Sequence, residues 1–139
     1  MKKIFRIIIL RLLTISFGCQ AQIVETTRDI PKLKENQQQF INKPLKNLLK
    51  EIKPQIKTVW ATKDEINYFS FRFRTSEQIN KNEGNYDDKV SLYVYVKENI
   101  DWDFEKRPKE NELNWSQEDI EKYGNLTVIR IKVYNPPKE

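Results

Sequence analysis

The 139-residue chain contains no histidine. That absence removes the commonest general base, the commonest metal ligand and the usual partner of a nucleophilic serine. Ser70, Ser76, Ser91 and Ser116 accordingly stand in no nucleophile-elbow motif. A single cysteine, Cys19, rules out an intramolecular disulfide. Three glycines are too few for a Gly-rich phosphate cradle. Long apolar runs are missing as well. Near the start, Arg11 splits the apolar residues into Ile7–Leu10 and Leu12–Ile15. A membrane-spanning helix needs about 20 consecutive apolar residues, and an arginine at its middle costs about 3 kcal/mol.

What is present begins with the leader. Lys2, Lys3 and Arg6 form a basic n-region, an apolar stretch follows, and Ser16-Phe17-Gly18-Cys19 closes it. This is the layout of a secretory signal peptide. With Gly18-Cys19 at its end, the leader resembles that of bacterial envelope lipoproteins. Ser16 departs from the usual Leu of the lipobox, and Phe17 is larger than the usual small residue. The resemblance covers the leader alone. It implies a signal peptide over residues 1–18, lipid (palmitate among its acyl chains) on Cys19, and attachment to the outer membrane. Two alternatives stay open. Cleavage after Ala21, at Cys19-Gln20-Ala21, would release a soluble periplasmic or secreted protein. Retention of the leader would leave an anchor.

The leader also changes how charge is read. The chain carries 25 basic and 20 acidic side chains, a net +5. Lys2, Lys3, Arg6 and Arg11 all precede Cys19 and no acidic residue does, so removing those four leaves +1. Basicity is then no argument for a nucleic-acid partner.

The remaining length fits one domain. Residues 19–35 are polar with isolated apolar positions. They read as the lipidated N-terminus and a flexible tether, dispensable for folding, with a single α+β domain over 36–139. Asn42-Lys43-Pro44 predicts the start of the main helix. Leu45, Leu48, Leu49 and Ile52 give it one apolar stripe, and Pro54 stops it.

Beyond it the period becomes two. Phe69, Phe71 and Phe73 face inward, with Tyr68, Ser70, Arg72 and Arg74 outward. Val90, Leu92, Val94 and Val96 alternate with Ser91, Tyr93, Tyr95 and Lys97. Ile129, Ile131 and Val133 are expected inside, with Val128, Arg130, Lys132 and Tyr134 outside. A shorter strand is expected within Ile56–Thr62. Residues 80–85 read as a polar loop and Ile100–Asn114 as an irregular excursion covering part of the core. Ser116 to Asp119 predicts a capped short helix ended by Gly124. The expected architecture is an α+β two-layer sandwich, one main helix packed on a mostly antiparallel sheet of about four strands.

The sequence offers no catalytic residue, metal site or cofactor motif above background. Asp101-x-Asp103-x-Glu105 lacks the glycine and distal glutamate of a calcium loop. Asp87-Asp88 and Glu118-Asp119 read as a turn and a helix start rather than as paired catalytic acids. The sequons at Asn114 and Asn125 have no role behind a bacterial leader.

The candidate binding face is the outward side of the sheet. It comprises Tyr68, Arg72 and Arg74 on one strand, Tyr93 and Tyr95 on the next, and Arg130, Lys132 and Tyr134 on the last. Tyrosine and arginine are favoured at binding surfaces. The leading expectation is a small, non-enzymatic binding or accessory lipoprotein of the envelope. Its partners would be the membrane, through lipid, and an envelope protein or anionic glycan; nucleic acid is not expected. A small carboxylate-based enzyme is the alternative class, and a cleft converging on acids would mark it.

Overall fold

Four strands form where the period of two is sustained. In the computed structural model, which describes residues 22–63, 65–110 and 113–138, these are β1 (Thr58–Lys63), β2 (Asn67–Arg72), β3 (Ser91–Val96) and β4 (Val128–Tyr134). They make one antiparallel sheet in the order β1-β2-β3-β4. The helices are short: α1 (Pro31–Glu35), α2 (Leu45–Leu49), α3 (Ser76–Asn80) and α4 (Gln117–Tyr123). The α+β class therefore holds. The expected leader, residues 1–18, and Cys19 lie outside the described residues.

The strand register sets a core face. Val59 lies opposite Phe71, Phe71 opposite Leu92, Phe69 opposite Val94, and Val94 opposite Ile131, and all are buried. The excursion from Ile100 to Trp115 and helix α4 add aromatics to this cluster, as expected. Trp102, Trp115 and Tyr123 meet Phe69 at ring-centroid distances of 6.3, 5.8 and 5.4 Å, mostly edge-on. Such geometry suits the ring quadrupoles. Ser116 caps α4, and Asp119 returns the bond to the Ser116 N–H at 2.9 Å, a capping box.

Three expectations are corrected. The first is the tether. The domain does not start near Asn36, because Val24, Ile30 and Leu33 have no exposed surface. Val24 forms a parallel bridge with Ile52, donating to the Glu51 carbonyl at 2.9 Å and accepting from the Lys53 N–H at 2.9 Å. Thr27 donates to Asp88 across the fold at 2.8 Å. Isolated apolar residues in polar surroundings are thus enough to seat a segment when each one reaches the core.

The second is the main helix. Its regular part is limited to Leu45–Leu49. Asn42 adopts φ 65°, in the left-handed region that asparagine tolerates, so it does not cap. The Asn42 N–H donates to the Val128 carbonyl at 2.7 Å, and the Val128 N–H donates to Lys43 at 2.9 Å. Residues 42–44 thereby line the edge of β4, and Pro44 becomes the extended residue before the first turn. At the other end, Glu51 and Ile52 donate three residues back, tightening the last turn. The stripe still faces inward: Leu45 and Leu48 are fully buried and Ile52 nearly so.

The third is Ile129. A bulge places Tyr95 opposite Arg130 and Val96 opposite Val128, so Ile129 is the extra residue. It is 43% exposed while Val128 is fully buried, the reverse of simple alternation. One inserted residue shifts everything before it by half a period. Arg130 and the residues after it keep their expected sides. The expected loop at 80–85 is also preceded by α3, capped by Thr75.

Candidate functional site

The same register that buries one face lays out the other in three rows. Thr58, Arg72, Ser91 and Tyr134 form the first, and Trp60, Ser70, Tyr93 and Lys132 the second. Thr62, Tyr68, Tyr95 and Arg130 form the third. Of the outward positions expected from the sequence, Arg74 and Lys97 fall outside the rows because each follows the end of its strand, and Val128 does so because the bulge turns it into the core. Trp60 was not foreseen there. It is 46% exposed and stacks on Phe104 at 6.2 Å, with an interplanar angle of 11°.

The middle of this face is a tyrosine cluster. Tyr68 contacts Tyr95 at 5.1 Å and Tyr93 at 5.9 Å between ring centroids. The Arg130 guanidinium sits 5.4 Å from the Tyr95 ring, a favourable cation–π geometry. The rings of Tyr68, Tyr93, Tyr95 and Tyr134, with Lys132, enclose a shallow hollow of about 250 Å³.

A second hollow of about 310 Å³ adjoins it, sharing Tyr93 and Tyr134. Arg72, Arg74 and Lys89 line it, and among the described residues no aspartate or glutamate does. The turn Tyr86–Lys89 forms one wall. Tyr86 donates its hydroxyl to the Pro136 carbonyl at 2.7 Å, which ties the C-terminal segment to that wall. Gly84, at φ +107°, lets the loop close against the Arg74 side chain. Arg74 donates to the Glu83 carbonyl at 3.0 Å. Among the described residues, Arg72, Arg74, Lys89, Arg130 and Lys132 form no ion pair, and the buried Nε of Arg72 has no hydrogen-bond partner.

A different cationic site shows what a structural arginine looks like in this fold. Arg107 donates to both carboxylate oxygens of Asp119, at 2.8 and 3.1 Å, and to the Asn114 carbonyl at 2.7 Å. Its guanidinium lies 4.1 Å from the centre of the Trp102 ring. Burial pushes the Asp119 carboxyl upward, but the Arg107 and Ser116 hydrogen bonds outweigh it and hold the group below the usual carboxylate range. The pair clamps the excursion onto α4.

Several of the acidic candidates have partners within the fold. Asp103 accepts from the N–H groups of Glu105 and Lys106, capping the turn Phe104–Lys106. Asp101 lies 3.7 Å from Lys122, and Asp87 lies 3.2 Å from Arg28. No group of three or more potential metal ligands forms among the described residues.

Among the described residues, no helix is long and apolar enough to cross a membrane. Comparison with known proteins finds no matching family model, no matching curated protein and no matching solved structure.

Proposed function

We propose that this chain is a small exported binding module, held to a bacterial outer membrane by lipid on Cys19, whose outward sheet face engages an anionic partner. The observation that carries the binding half is the pattern of charge. Five cations stand near tyrosines: Arg72, Arg130 and Lys132 on the outward face and Arg74 and Lys89 in the cleft at its end. None has a carboxylate partner among the described residues. Unpaired cations beside aromatic rings attract anions and give a partner large, rigid contact area. The anchoring half rests on the basic-apolar leader ending in Gly18-Cys19 and on its likeness to lipoprotein leaders. We read the architecture as two layers, the short helices and the excursion packed on the core face and the outer face left open.

The packed N-terminal segment adds a geometric consequence. Gln22 already donates to the Lys50 carbonyl at 2.8 Å. The chain from Cys19 to Gln22 can span about 11 Å at most, so a lipid on Cys19 would hold the domain directly against the headgroups.

Two measurements test this reading. A clickable fatty acid should label the wild-type chain and leave Cys19→Ser unlabelled; equal labelling of both, or of neither, refutes the anchor. Crosslinked pull-down from intact cells should recover a partner with the wild type and lose it with Tyr95→Ala combined with Arg130→Glu. Wild-type recovery by the double variant refutes the face. Its two side chains sit directly opposite on β3 and β4, and loss of such central contacts typically weakens binding about thirtyfold.

A further inference from the structure

The outer face is not uniform. One end is a cationic cleft and the middle is a shelf of phenol rings, and the two share Tyr93 and Tyr134 as a common wall. We propose that the pair of hollows is a binding site for an acidic oligosaccharide. The acid group enters the cleft of Arg72, Arg74 and Lys89, and the neighbouring sugar ring lies on Tyr93 and Tyr95. The inference rests on the reading that the outward face is the binding surface, and it names the ligand class and the groups that would recognise it.

The chemistry of each half points the same way. Among the described residues, Arg72 presents a guanidinium with no ion pair and a buried Nε without a partner. An arginine whose role is structural is engaged as Arg107 is, on two carboxylate oxygens and a carbonyl. With no acidic side chain among the described residues of its lining, the cleft has no neutralising charge of its own there. A carboxylate or sulfate supplies that charge and accepts from the guanidinium fork in two places.

The shelf needs a flat, weakly polar body. Sugar rings have C–H faces that pack on phenol rings and hydroxyls that bond to Lys132 and to tyrosine hydroxyls. A small inorganic anion would leave the shelf empty. An acidic protein loop is a less close fit, because hollows of about 250 and 310 Å³ are on the scale of one or two sugar rings each. The walls are held in advance of binding. Tyr86 is tied to Pro136 at 2.7 Å, Arg74 to Glu83 at 3.0 Å, and the tyrosines pack on one another. Preorganisation of this kind reduces the ordering cost of binding.

The test is titration calorimetry on the full mature chain in detergent micelles, with tetragalacturonate, a sulfated tetrasaccharide, neutral cellotetraose and inorganic phosphate as probes. At least one acidic tetrasaccharide should bind and weaken as salt rises; which of them binds tells carboxylate from sulfate. Cellotetraose and phosphate should each bind at least tenfold more weakly. Lys89→Gln and Arg72→Gln should each weaken the acidic sugar about tenfold, and Tyr95→Ala should weaken it severalfold. Lys89 serves as the second variant because it lies on the turn, outside the sheet, and its loss leaves the strands intact.

Failure of both acidic sugars to bind overturns the proposal, as does phosphate binding as tightly as the sugar. Equal binding by wild type, Lys89→Gln and Arg72→Gln also overturns it. Preferred sedimentation with vesicles of anionic phospholipid, without sugar binding, replaces the glycan by a membrane surface. In each of these cases the pull-down with Tyr95→Ala and Arg130→Glu still reports independently on the face as a whole.

Discussion

The two faces of the sheet are made by the same strands, residue by residue in alternation, yet they obey different constraints. On the core face, Phe69, Phe71, Leu92 and Val94 have no exposed surface and belong to one hydrophobic cluster. On the outer face, the same strands present tyrosines, arginines and lysines, with Trp60 and Tyr134 about half exposed. A side chain on the first face is fixed by packing, because interiors are dense and even one methylene matters. A side chain on the second is constrained mainly by strand propensity and solubility. The second face is therefore where composition can serve binding without endangering the fold. The comparison predicts large stability effects from the core face, and binding effects with little stability change from the other.

Leu48→Asp should break the comparison's first half most severely. Leu48 is fully buried on α2, so an aspartate there is either desolvated without a partner or expels the helix. Either outcome costs several kcal/mol against a total stability of about 5–15 kcal/mol. Circular dichroism and thermal melting should show an unfolded chain. A folded variant would mean that the Leu45–Leu48 stripe does not carry the core.

The Arg107–Asp119 clamp comes next. The side chains of the pair are 18% and 8% exposed, so Arg107→Gln leaves a nearly buried carboxylate without its main partner. The expected loss is about 3 kcal/mol at neutral pH, read from denaturant midpoints. The sign with pH follows from the lowered pKa of Asp119. Its contribution is present above the unfolded-state value of about 4 and is lost as pH falls through the lower folded-state value. The gap between wild type and Arg107→Gln should therefore narrow on acidification below about pH 4. A gap that widens there would remove Asp119 as the group responsible.

Ile30→Ala tests the segment whose composition suggested a tether. Ile30 has no exposed surface, and truncating a buried isoleucine costs about 2–5 kcal/mol. A genuine tether would show no change in the thermal midpoint.

These cases show which parts of the structure were legible from sequence. Alternation is local, so the strands around Phe69–Phe71 and Leu92–Val96 could be read directly, and with them the outward face. The cap and end of α4 were legible for the same reason, since Ser116, Asp119 and Gly124 lie within one short stretch. Features set by distant partners were not. The bulge that exposes Ile129 depends on pairing with Tyr95 and Val96, which no local pattern records. The bounds of α2 follow hydrogen bonds exchanged between residues 42–43 and Val128 and the bridge between Val24 and Ile52. The cationic cleft joins Arg72 and Arg74 at the end of β2 to Lys89 on a turn and to Pro136 near the C-terminus. Tyrosine and arginine spacing within one strand could announce the face but not the cleft. Val24, Ile30 and Leu33 were visible as isolated apolar residues, and only the fold shows that all three reach the core.

The smallest effects should come from hydroxyls buried beneath the outer face, and there the sign itself is informative. Thr58 and Ser70 are 1% and 3% exposed although both belong to rows that face away from the core. Thr58 donates its hydroxyl to the Arg74 carbonyl. Ser70 Oγ has no partner among the described residues. A buried hydrogen bond contributes about 1 kcal/mol net, whereas a buried hydroxyl left unpaired costs about as much or more. Thr58→Val should therefore lower stability by about 1 kcal/mol, and Ser70→Ala should raise it by about 0.5–1 kcal/mol, a shift of a few degrees in Tm. Alanine at 70 removes only the oxygen and leaves the strand register untouched, so the gain should appear in the denaturant midpoint with an unchanged m-value. A loss in Ser70→Ala equal to that of Thr58→Val would show that the Ser70 hydroxyl is paired after all, by ordered water under Trp60 and Tyr93. The outer face would then be more closely packed, and less free to vary, than the contrast between the two faces implies.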